Sequence, residues 1–80
     1  MTRNNSITHN ESSIDTNKAV SIARKFLEQY HSPVIFKSAY QDSITWFVTM
    51  EVGLLNEDII VVKIDAKSGK IQGYDHIVPS

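Results

Sequence analysis

The chain has no cysteine, which removes both a disulfide framework and a thiolate metal site. Its net charge is −1, with acids and bases interspersed. That leaves no one-signed field of the kind that draws a protein to nucleic acid or to an anionic membrane. No apolar run approaches the length of a membrane span, and the opening MTRNNSITHNESS holds an early Arg3 but no hydrophobic core of a signal peptide. These absences predict one domain that stays in the cytoplasm, with no nucleic-acid partner and no membrane insertion. With only three glycines and two prolines in eighty residues, each one carries positional meaning.

What is present organises around Ile59 to Ile77, IIVVKIDAKSGKIQGYDHI. Ile60, Val62 and Ile64 alternate with Ile59, Val61 and Lys63, a period of two rich in β-branched side chains that suit a pleated surface. Asp65 can accept hydrogen bonds from turn amides, and Gly69 supplies the positive φ that a hairpin loop of this length requires. Ile71 and Ile77 carry the apolar phase onward, and Gly73 is expected to allow close approach of another backbone.

Upstream, residues 1–13 are too polar to offset the entropy of ordering and are expected to form a disordered tail. Ile7 is the tail's only apolar anchor, should the segment order on a partner. Asp15 is a good N-cap, with Ile14 before it placed to staple against Ala19. At about 100° per residue, Ala19, Val20, Ile22, Ala23, Phe26, Leu27 and Tyr30 share one arc, and Lys18, Ser21, Arg24, Lys25, Glu28 and Gln29 lie opposite. His31-Ser32-Pro33 ends this helix, because a residue before proline is pushed out of helical dihedrals.

Val34 to Tyr40 alternates weakly and suits an edge strand, with Val34 and Phe36 on one side and Ile35, Lys37 and Ala39 on the other. After a turn at Gln41-Asp42-Ser43, Ile44, Trp46, Val48, Met50 and Val52 alternate with Thr45, Phe47, Thr49 and Glu51. Gly53 to Asp58 makes a loop, and Val78-Pro79-Ser80 leaves the sheet. The fold class is therefore α+β: one N-terminal amphipathic helix on a three- to four-stranded antiparallel meander, spanning residues 14–78. Trp46 is assigned to the core beneath the helix. The far face of the sheet carries Ile35, Phe47, Ile59, Val61 and Tyr74 among Thr45, Thr49, Lys63 and Gln72. These five apolar residues are the candidate binding site for a protein partner or for a second copy in a homodimer. The alternative is an ordinary mixed surface partly shielded by Leu54 and Leu55.

Candidates for chemistry are few. His9, His31 and His76 fall in the tail, at a helix end and near the end of the last strand, so their neighbourhoods supply no shared ligand geometry. Asp75 and His76 are adjacent in a strand and point to opposite faces, which argues against an oriented base. Glu51, Glu57 and Asp58 around a loop could meet a hard cation, but such carboxylates are usually solvated. Ser68-Gly69-Lys70 is a turn and not a phosphate loop, because no helix follows it. No catalytic residue, cofactor or metal is assigned.

Ala19-Val20-x-Ile22-Ala23 on the helix, Trp46-x-Val48 on a strand and Val62-x-Ile64-Asp65-Ala66-Lys67-Ser68-Gly69-Lys70-Ile71 together resemble the PepSY domain over residues 14–77. The resemblance implies a helix on an antiparallel sheet and a non-catalytic role in binding or restraining a peptidase or another protein. Trp46-x-Val48-x-x-Glu51-Val52 with Ile64-Asp65 and Gly69-x-Ile71-x-Gly73-Tyr74 is also similar to the accessory O proteins of gas vesicles. That second resemblance implies a cytoplasmic factor of vesicle assembly.

Overall fold

The computed structural model describes residues 13–54 and 58–77. Helix α1 (Thr16–Glu28) is followed by strands β1 (Val34–Asp42), β2 (Thr45–Val52), β3 (Asp58–Asp65) and β4 (Ile71–Ile77). The strands form one antiparallel sheet in the order β1-β2-β3-β4, so the α+β helix-then-meander reading holds, with four strands. The predicted tail apart from Ser13, together with Leu55, Glu57 and residues 78–80, lies outside the described residues.

The helix starts where its cap predicts. Asp15 accepts a hydrogen bond from the Lys18 amide at 2.8 Å, and its own carbonyl takes the first helical bond, from Ala19, at 3.0 Å. Ile14 packs against the edge of the core and is bonded through its main chain. Its amide donates to the Ala66 carbonyl at 2.7 Å, and its carbonyl accepts the Trp46 indole N–H at 3.1 Å. The helix entry is thus tied by main chain to the end of β3 and by side chain to β2. At the other end Arg24 reaches across to the Val34 carbonyl, 2.7 Å away, holding the helix near the start of β1.

Ala19, Ala23 and Leu27 are fully buried against Val48, Met50, Val52, Ile60, Val62 and Ile64. The small residues let the helix axis approach the sheet, and each large side chain buried in this layer contributes about 1.5–3 kcal/mol. Trp46 is 7 % exposed, beneath the helix as its phase requires.

Three local expectations are corrected. The first turn is the two-residue Ser43–Ile44 and not Gln41 to Ser43: β1 runs on to Asp42, which pairs with Thr45, and Ser43 alone takes a positive φ of 60°. That single positive φ at the first turn position is the type II′ arrangement, which matches strand twist. Ile44 consequently leaves the strand and is exposed, its carbonyl accepting the Ala66 amide at 2.8 Å. In β1 a bulge between Phe36 and Ser38 adds one residue, so Lys37 and Ser38 both fall on the open side and Ala39 turns to the core against Val48. In β4 a second irregularity, opposite Lys63 and Ile64, places Gly73 at a bulge, where an added Cβ would meet nothing within 4 Å. Gly73 therefore serves register and not close approach.

The β3–β4 turn is held as its residues suggest. Asp65 Oδ1 accepts from the Lys67 and Ser68 amides at 2.8 and 3.0 Å, and the Gly69 amide donates to the Asp65 carbonyl at 2.9 Å. The Ser68 amide first, and the Lys67 amide second, hold the Asp65 carboxyl below its ordinary pKa. Gly69 sits at φ +78°, and a Cβ there would come within 3.2 Å of Ile22 Cδ1 on the helix.

This turn can be tested at two positions. Gly69→Ala should cost about 1–2 kcal/mol in urea unfolding, since an L-residue resists positive φ; an unchanged midpoint would contradict the turn geometry. Asp65→Ala should lower stability at pH 7. Because the folded-state pKa is depressed, the charged carboxylate's contribution is complete above about pH 4 and is lost as the pH falls through the folded value. The gap between parent and variant should therefore close in acid, and a gap that persists or widens there would refute the assignment.

Candidate functional site

Registers fix what lies on the side of the sheet away from the helix. The rows across β1 to β4 read Ile35, Glu51, Ile59, Ile77; then Ser38, Thr49, Val61, Asp75; then Tyr40, Phe47, Lys63, Gly73. Ile35, Phe47, Ile59 and Val61 stand on this open face as their phase predicts. Ile35 is 50 % exposed, and Phe47, Ile59 and Val61 are half-buried by their own neighbours. Among the described residues no element covers this face.

Tyr74 is a correction. It pairs with Val62 and lies on the helix side, its ring centroid 5.4 Å from that of Phe26. Simple alternation onward from Ile71 puts it outside, whereas the irregularity between Ile71 and Gly73 shifts the phase by one residue. The same arithmetic separates Ile71, which packs on the core, from Ile77, which is 47 % exposed on the open face.

Tyr40, like Ile77, belongs to the open face and is missed by alternation alone. The β1 bulge swings it outward, where its ring stacks on Phe47 with centroids 5.2 Å apart and planes 15° from parallel. Such a pair adds about 0.5–1.5 kcal/mol beyond area burial. A glycine in a strand is a known sign of a bulge, so the β4 shift left a trace in Gly73. The β1 shift left none, since nothing about Lys37 marks it.

Tyr40, Phe47, Val61 and Ile77 form a diagonal apolar stripe. On one side of it Lys37 Nζ lies 3.5 Å from Glu51 Oε1, and on the other Lys63 Nζ lies 3.0 Å from Asp75 Oδ2. Beyond them the Thr45 hydroxyl reaches Gln72 Oε1 at 3.3 Å. Each exposed ion pair contributes about 0–1 kcal/mol to folding, so the pairs matter more for what the face can meet than for stability. Leu54 is 84 % exposed and shields nothing.

The helix side has an opening of its own. Phe26, Leu27, Tyr30 and His31 at the end of α1 face Ile60, Tyr74 and His76, enclosing a groove of about 380 Å³. The fold thus brings His31 and His76 to one groove, which their sequence neighbourhoods did not suggest. Among the described residues no carboxylate lines it, and Asp75 points the other way toward Lys63. Among the described residues no group of three or more His, Cys, Asp or Glu could hold a metal, and no helix is long and apolar enough to cross a membrane. No protein-family model, curated protein or solved structure matches the chain, so its function is read from its own surfaces.

Proposed function

We propose that the protein is a small non-catalytic interaction module that binds protein through the open face of its sheet. The observation that carries this reading is the diagonal stripe of Tyr40, Phe47, Val61 and Ile77, which no element among the described residues covers while the opposite face is spent on the helix. A continuous apolar stripe that includes two stacked aromatic rings and is flanked on both sides by charged pairs has the mix of apolar anchor and polar surround found at protein interfaces. The helix-then-meander order and the Asp65–Gly69 turn support a PepSY-like module that binds or restrains another protein. The similarity to the gas-vesicle O proteins supports the same type of role in an assembly factor.

An enzyme built on His76 has less behind it. Among the described residues its groove holds two imidazoles, His31 and His76, and two phenols, Tyr30 and Tyr74, but no carboxylate to orient a base. A groove of this composition suits packing or a small ligand better than proton transfer.

Phe47→Ser combined with Val61→Lys should leave the fold intact, because both side chains stand on the side away from the core. The double variant should keep the parental far-UV spectrum and a cooperative melt while losing association with protein partners in pull-down and sedimentation. Association equal to that of the parent would overturn the proposal.

A further inference from the structure

We infer that the occupant of the open face is a second copy of this chain. This rests on the interaction reading above and supplies its partner. Strands lie about 4.8 Å apart, and same-face neighbours along a strand are about 6.8 Å apart. On that lattice the registers set Tyr40 and Phe47 in one row and Val61 and Ile77 one and two rows farther on, so the stripe runs from end to end along a line at about 45° to the strands. The Lys37–Glu51 pair lies on one side of the line and the Lys63–Asp75 pair on the other.

An isologous face-to-face contact needs a two-fold axis in the plane of the face. With the axis perpendicular to the stripe, one stripe lies antiparallel on the other, and Tyr40 meets Ile77 of the second copy. Lys37 then comes over the second copy's Glu51, Lys63 comes over its Asp75, and Ile35 sits at the axis against itself. Every one of these charges meets its opposite. With the axis along the stripe, Lys37 would lie over Lys63 and Glu51 over Asp75, like upon like. The face therefore selects one of the two arrangements, and the selected one makes each ion pair part of a four-charge cluster across the interface. Because the stripe is diagonal, the strands of the two sheets cross at about 90°, the orthogonal class of sheet packing.

The area sets the strength. Four strands and four rows make a face of about 19 by 27 Å, hence about 500 Å² per copy and about 1,000 Å² in all. That is the low end for a specific interface, and the dimer should be a weak one in the micromolar range.

Sedimentation equilibrium of the full chain from about 10 µM to 1 mM, a range set to bracket such an affinity, tests this. The parent should pass from monomer to dimer. Lys37→Glu alone sets carboxylate against carboxylate across the interface, and Glu51→Lys alone sets ammonium against ammonium, so each variant should associate at least about tenfold more weakly. An equimolar mixture of the two variants restores opposite charges and should recover a dimer containing one of each. The exchange of both residues within one chain should also dimerise as the parent does, which separates the interface from any loss of the pair within one copy. A parent that stays monomeric throughout, or a mixture no stronger than its components, overturns the inference. If the parent is monomeric while Phe47→Ser with Val61→Lys still loses a captured protein, the second copy is wrong and the interaction reading stands; if that capture is unaffected as well, both fall.

Discussion

A helix of thirteen residues is about 20 Å long and about 10 Å across, which is the width of two strands and not of four. This mismatch between one helix and a two-sided, four-stranded sheet governs everything else in the molecule. The helix settles over β1, β2 and β3, where Ala19, Ala23 and Leu27 meet the inward side chains. Ile71 packs on the core, but farther along β4 the inner side is left to Tyr74 and His76, with the ring of Phe26 against Tyr74, and that shortfall is the groove. The whole outer side is left without cover among the described residues. What the protein can offer to others follows from where its single helix is placed, and that placement is held by Ile14 through Ala66 and Trp46 and by Arg24 through Val34.

Much of this was legible in the residues. Strict alternation from Trp46 to Val52 and from Ile60 to Ile64 leaves no doubt about which side chains face the helix, and Asp15, Asp65 and Gly69 announce their cap and turn by chemistry that few other residues perform. The residues assigned to the wrong face of the sheet sit on strands where a period of two is interrupted. One extra residue at Lys37 sends Tyr40 outward and Ala39 inward, and one near Gly73 sends Tyr74 inward and Ile77 outward. A bulge is a matter of how two strands pair, so a single strand read alone carries at most a hint of it. The central strands β2 and β3 have no bulge between them, which is why alternation places Phe47, Ile59 and Val61 correctly and misplaces residues of the edge strands.

The groove was hidden for a related reason. His31 and His76 are separated by the entire sheet in sequence and meet only because the meander returns its last strand beneath the open end of the helix. The two bulges also shape the open face. They sit on the two edge strands, where bulges discourage uncontrolled edge-to-edge pairing, while Phe47 and Val61 stand on the unbulged central pair.

The central claim is that one face of the sheet is committed to the helix and the other is kept for association. Methyl NMR with a soluble paramagnetic agent reads both faces in one experiment. In dilute solution the methyls of Ile35, Ile59 and Ile77 should be strongly attenuated while those of Val48, Met50 and Val62 stay bright, and raising the protein concentration should protect only the first group. Attenuation of Val62 and Met50 in the folded protein, or isoleucine methyls that remain equally exposed with and without a bound partner, would contradict the account.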